Sequence, residues 1–170
     1  GLGSNPSGAG PASDADLDMA FALVMADKQW GGQGKLGKKY VAIAKGQIQA
    51  VWSNEFWDWK YLKPWPQNNA PPINLSYFSP AYHKIFAKID TGNVNPTTKV
   101  NYWTESADAM YALLNTTLSS GSGNASNGLV PAWSDLSGKP NGGAFGGSGG
   151  PSPTHYQYDS CRTPFRIAEG

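Results

Sequence analysis

The stretch "PASDADLDMAFALVMADKQW", residues 11–30, constrains the fold more than any other part of the chain. From Leu17 to Ala26 its apolar residues run almost all the way round a helix, whereas a helix lying on a protein surface carries them in one stripe. Such a helix has to be covered on most sides. Ser13 reads as its N-cap and Gly31-Gly32 as its stop.

The remaining helices differ in kind. "KLGKKYVAIAKGQIQAVW", 35–52, predicts a more amphipathic helix with Tyr40, Ile43, Ala44, Ile48 and Val51 near one face, suited to packing outside the first. Ser79 followed by Pro80 predicts a helix start, as does the stretch from Thr104, "TESADAMYALLNTTL", and a last start falls at Thr163-Pro164. The aromatic and proline-rich stretch between residues 54 and 78 and the Gly-Ser-Pro stretch 137–153 read as loops. Only 128–133 and 155–158 carry a weak strand pattern. Buried helices alternating with amphipathic ones predict an all-α fold of two layers, inner helices sheathed by outer ones. No repeat of fixed period is visible, which argues against a regular solenoid. At 170 residues the chain fits one domain, and loops this long in a compact domain are usually functional.

Charge and composition exclude several classes of partner. Thirteen basic side chains against 12 acidic ones leave no basic stripe for nucleic acid. No apolar run approaches the roughly 20 residues of a membrane span, and no signal segment opens the chain, so a soluble protein is expected. The single Cys161 excludes an internal disulfide. His83 and His155 have no spacing that makes them a metal pair, and no cofactor is implied.

Asp14, Asp16 and Asp18 crowd the head of the first helix. Asp14 and Asp16 in a first turn are favoured by the helix dipole, by about 0.3–1 kcal/mol each. Asp14 and Asp18, four apart, repel by an amount on the order of 0.2–0.5 kcal/mol. A calcium loop beginning D-x-D-x-D requires Gly at its sixth position and Glu at its twelfth; Met19 and Met25 stand there, so that reading is rejected. Three alternatives remain open on spacing: a well-capped helix head, a metal-dependent sugar-transfer D-x-D, for which no His or further acid cluster stands nearby in sequence, or carboxylates facing a sugar or a reacting water.

"ASDADLDMAFALVMADKQW" resembles the signature of glycoside hydrolase family 8, and "INLSYFSPAYHKIFAKI" (73–89) and "YDSCRTPFRIA" (158–168) agree in order and spacing. The resemblance implies an (α/α)6 barrel, a six-hairpin toroid with the substrate cleft across one end. It also implies inverting, endo-acting hydrolysis of β-1,4-linked polysaccharide: cellulose or related β-glucan, with xylan and chitosan as alternatives. Asp159 is then the general base that deprotonates the attacking water, with Arg162 beside it. Asp14 is the active-site Asp that grips the sugar at the cleavage point, while Asp16 and Asp18 support the cleft floor. Tyr77 contacts the nucleophilic water, and Tyr158 lies beside the base. Trp65 and Trp133 are the chosen platforms for sugar faces among the tryptophans.

The family's general acid is a Glu well upstream of the Asp-rich signature. Glu55, Glu105 and Glu169 lie in none of its contexts. The chain therefore reads as the central part, 1–170, of one catalytic domain, partnered by that domain's remaining segments. A non-catalytic glycan-binding remnant is the alternative. Polysaccharide substrates and family habit imply secretion.

Overall fold

The computed structural model describes residues 11–122, 127–142 and 154–169. Among the described residues five helices carry the fold: α1 (Ser13–Trp30), α2 (Tyr40–Asn54), α3 (Pro80–Ala87), α4 (Tyr102–Thr117) and α5 (Arg162–Ala168). Helix α1 packs along α2, and α3 along α4. Phe21 of α1 stacks on Tyr82 of α3 with ring centroids 4.0 Å apart, and Arg166 of α5 reaches both Asp18 of α1 and the Tyr82 ring. Thus α1, α3 and α5 form one layer and α2 and α4 the layer behind it, the two-layer arrangement that the sequence predicts.

Among the described residues four two-residue strands interrupt the helical class without changing it. β1 (Phe56–Trp57) and β2 (Tyr61–Leu62) form a hairpin, with Phe56 opposite Leu62. β3 (Ile73–Asn74) pairs antiparallel with β4 (Trp133–Ser134), Asn74 opposite Trp133. The expected strand at 128–133 is thus reduced to its last residue and the one after it, and 155–158 is a bend and turn.

Helix ends depart from expectation for physical reasons. Ala12, in extended backbone, occupies the N-cap of α1; Ser13 is already helical and fully buried, its amide donating to the Pro64 carbonyl at 3.1 Å. The 35–52 helix is broken at Gly37, which adopts the left-handed conformation after a single 3-10 turn, so α2 begins only at Tyr40. Helix α4 starts two residues before Thr104, because the Asn101 side chain accepts from the Trp103 amide at 2.9 Å and is the better cap. Ser79 holds the N-cap position of α3 with Pro80 at its first turn, as predicted, although its hydroxyl makes no capping bond.

The core sits between the layers. Leu17, Ala20 and Val24 of α1 meet Ala44, Ile48 and Val51 of α2, and Trp103 lies edge-on to His83, Phe86 and Phe56. His83 is fully buried with neither ring nitrogen hydrogen-bonded, and burial pushes its pKa down to about 3; it is a neutral packed ring. His155 is exposed at the surface instead. Helix α1 is not covered on most sides within this chain: Met19 is 52% and Met25 49% exposed. Among the described residues no helix is long and apolar enough to cross a membrane.

Candidate active site

The heads of α1 and α5 bring Asp14 and Asp159 to a common partner across 145 residues of chain. Asp159 stands in a tight turn that precedes α5: the Ser160 hydroxyl accepts from the Gln157 amide at 2.7 Å, and the Asp159 amide donates to Gln157 Oε1 at 2.9 Å. Arg162, three residues on, turns its guanidinium back over that turn. Its Nη2 donates to Asp159 Oδ1 at 2.8 Å and its Nη1 to Asp14 Oδ2 at 3.0 Å. One guanidinium fork thus bridges two carboxylates from different helices, a geometry a lysine ammonium cannot reproduce. Gln157 Nε2 donates to the second Asp159 oxygen at 3.3 Å, so both oxygens of the carboxylate are oriented.

Tyr77 completes the cluster from the third inner element. It ends a 3-10 turn, Leu75–Tyr77, immediately ahead of α3, and that turn is fixed from both sides. Asn74 Oδ1 accepts from the Ser76 amide and hydroxyl at 3.0 and 2.7 Å, and the Leu75 amide donates to the Ala132 carbonyl at 3.2 Å. The Arg162 guanidinium lies 5.5 Å from the Tyr77 ring centroid. Burial foremost, and then the negative charge of Asp14, push the Tyr77 phenol up to about 12, with Asp159 adding and Arg162 opposing. The phenol therefore keeps its proton at neutral pH, next to the two carboxylates.

The other sequence candidates divide. Asp16 accepts from Gln47 Nε2 of α2 at 3.3 Å, and Asp18 forms a two-pronged ion pair with Arg166 at 2.8 and 2.9 Å. The three crowded aspartates therefore face three different partners. Tyr158 is adjacent to Asp159 in sequence, but its side chain is 69% exposed and is not drawn onto the cluster. Trp65 is half-buried one residue after Pro64, whose carbonyl holds Ser13, so it lies at the Asp14 end of the fold. Trp133 is not an open platform: it is buried in β4, its ring centroid 6.4 Å from that of Tyr77, where it backs the tyrosine. Gln157 and Arg166 were absent from the sequence candidates. Their roles come from contacts that only the folded turn and the α5–α1 approach create.

Glu55 is a buried acid whose carboxyl is strongly perturbed. It caps the C-terminal end of α2, and burial pushes its carboxyl from 4.5 up to about 7; the Ser13 hydroxyl opposes this, the neighbouring Asp16 adds to it and Lys63 opposes it. That proton affinity suits a general acid. Its surroundings are nevertheless Ser13, Asp16 and Lys63, and no described contact joins it to Arg162, Asp159 or Tyr77. Among the described residues no group of three or more His, Cys, Asp or Glu is arranged to hold a metal ion.

The profile of glycosyl hydrolases family 8 matches residues 4–168. Endoglucanase A of Acetivibrio thermocellus is 34% identical over 167 residues, which cover 97% of this chain and 31% of that protein. A beta-glucanase of Niallia circulans is 33% identical over 174 residues, 96% of this chain and 39% of the relative. The chain thus spans between about a third and two-fifths of the length of these relatives. Rex8A from Paenibacillus barcinonensis, solved in complex with xylose, matches in fold with a TM-score of 0.73 at 23% identity, over 96% of this chain and 41% of that one. With a double wall of helices, the Asp-rich head of α1 and a profile match over almost its whole length, the chain belongs to glycosyl hydrolase family 8, whose fold is the (α/α)6 barrel.

Proposed function

We propose that residues 1–170 form the central part of one catalytic domain and supply the base side of an inverting, endo-acting hydrolase of β-1,4-glycosidic bonds in cellulose or related β-glucans. The Asp14–Arg162–Asp159 bridge, with Tyr77 against it, carries this reading. Asp159 takes a proton from water as the water oxygen attacks the anomeric carbon. The bond from that carbon to the leaving oxygen breaks, and that oxygen takes a proton from a general acid in the remaining segments of the domain. In an inverting site the two carboxyl groups stand roughly 6.5–9.5 Å apart, leaving room for the water. Tyr77 donates to the same water, and Asp14 binds the sugar hydroxyls as the ring distorts. Asp16 and Trp65 extend the cleft floor, with Tyr158 at its solvent edge.

The endoglucanase and beta-glucanase relatives favour glucan over the family's xylan and chitosan substrates. Polymers of this size do not cross a membrane, so the enzyme acts outside the cytoplasm. Proton NMR of oligosaccharide hydrolysis by the complete domain tests the reading. The α-anomer should appear first from a β-linked substrate. A β-anomer appearing first, or no cleavage of any β-1,4-glycan, contradicts it; binding without cleavage is the result expected of a glycan-binding remnant.

A further inference from the structure

The β1–β2 hairpin presents a residue that neither the core nor the acidic cluster uses. The Lys60 amide donates to the Trp57 carbonyl at 2.9 Å, closing a turn whose two central residues, Asp58 and Trp59, have φ of 47° and 60°. Positive φ at both positions is the geometry that Asn-Gly adopts without strain, and a bulky ring there is an outlier. Trp59 is also 54% exposed. Asn or Gly would relieve the strained backbone and the wetted indole at once, yet the turn carries Trp. Backbone strain of this kind gathers where a side chain has to be displayed.

The display is braced by neighbouring rings and lies on the outer layer. Trp59 stacks at 6.1 Å and 20° on Trp52 of α2 and lies 5.7 Å from Tyr102 at the head of α4, which itself stacks on Trp52. Beside these rings is a cleft of about 530 Å³, lined by Trp52, Lys45, Gln49, Ser53, Asp90 and Asn93. Its acceptor is pre-set: Asp90 holds Gln49 Nε2 at 3.0 Å and Trp103 Nε1 at 3.3 Å. Gly92 completes the lining. One cation, Lys45, balances one anion, Asp90, which selects against a strongly charged ligand. A flat aromatic slab beside hydrogen-bonding amides and a hydroxyl matches a neutral pyranose, whose C–H faces are apolar and whose rim of hydroxyls both donates and accepts.

We propose that Trp59 and Tyr102, with the adjoining cleft of Gln49, Ser53 and Asn93, form a second, non-catalytic binding site for a neutral β-1,4-linked glycan on the outer wall of the barrel. The site shares no residue with the Asp14–Asp159 cluster and rests on the reading of the protein as a β-glycan hydrolase. It holds a length of polymer against the enzyme while another length occupies the cleft.

Affinity electrophoresis of the complete catalytic domain through gels containing mixed-linkage β-glucan or xylan tests it, in an Asp159→Asn background so that the gel is not digested. Retardation should weaken at least tenfold in Trp59→Asn, a substitution the turn favours, and should largely survive in Trp59→Phe. Gln49→Ala weakens it independently from the cleft side, which keeps the test decisive should the hairpin variant fold poorly. With Asp159 intact, Trp59→Asn should leave kcat/KM on short soluble oligosaccharides unchanged and lower it on polymer. Retardation equal to the parent's in both Trp59→Asn and Gln49→Ala overturns the second site while leaving the active-site reading standing. A parent that cleaves no β-1,4-glycan overturns the active-site reading instead.

Discussion

Arg162 and Arg166, one turn apart on α5, sort the aspartates of α1 into two kinds. Arg162 is part-exposed and shared between Asp14 and Asp159, whereas Arg166 is buried and pairs with Asp18 while lying over the Tyr82 ring. The two aspartates should therefore fail differently when neutralised. Asp14→Asn is expected to lower turnover with little loss of stability, because its contacts tighten on a distorting sugar. Asp18→Asn is expected to lower stability by about 1–3 kcal/mol, since it weakens the charged partner of a buried guanidinium, while turnover changes little. Urea melts and reducing-end assays on the two variants separate these outcomes. The sequence pointed to Asp14, Asp159, Tyr77 and Arg162 only through the resemblance of their three segments to family 8, since spacing by itself left Asp14 readable as part of a helix cap. Arg166 and Gln157 stand in the same motifs, but Arg166 depends on α5 reaching α1 across 148 residues, and Gln157 on the hydrogen bonding of one turn.

Helices α1 and α2 meet at an acidic joint. The buried Glu55 at the end of α2 faces Ser13 and Asp16 at the head of α1, with Lys63 just beyond β2. Its pKa is raised from 4.5 to about 7, so between these values the folded state holds a proton that the unfolded chain has released. Stability should therefore be greatest below about pH 4.5 as far as this group is concerned, and fall as pH rises to about 7. The loss is about 1–2 kcal/mol after allowance for solvent screening. Denaturant melts from pH 4 to 8 check the sign, and Glu55→Gln should flatten that part of the profile; a wild-type stability that rises through the window contradicts it. Sequence pattern gave the helices but not this joint, nor the hairpin beside it. Apolar periodicity reports which face is buried, while the β1–β2 turn lacks the glycine that marks such turns and so read as loop.

For the whole molecule, two helical layers place three inner elements, the head of α1, the turn before α3 and the turn before α5, at one end, with Asp14, Tyr77 and Asp159 on them. The same geometry leaves Met19 and Met25 of α1 open to solvent. The all-round apolar pattern of that helix is legible as a demand for further neighbours, which the proposed remaining segments of the barrel satisfy. A few hundred Å² of apolar surface corresponds to roughly 5–10 kcal/mol, comparable to an ordinary domain's stability. Met19 and Met25 should accordingly oxidise rapidly with peroxide in residues 1–170 alone and be protected in the complete domain, as read by peptide mass spectrometry. Equal rates in both contradict a covered α1. The base assignment binds these scales together, and Asp159→Asn in the complete domain tests it most directly, because it preserves shape and removes the proton acceptor. Reducing-end release from β-glucan should fall at least about 100-fold with the melting transition retained. Near-normal hydrolysis by that variant contradicts the account.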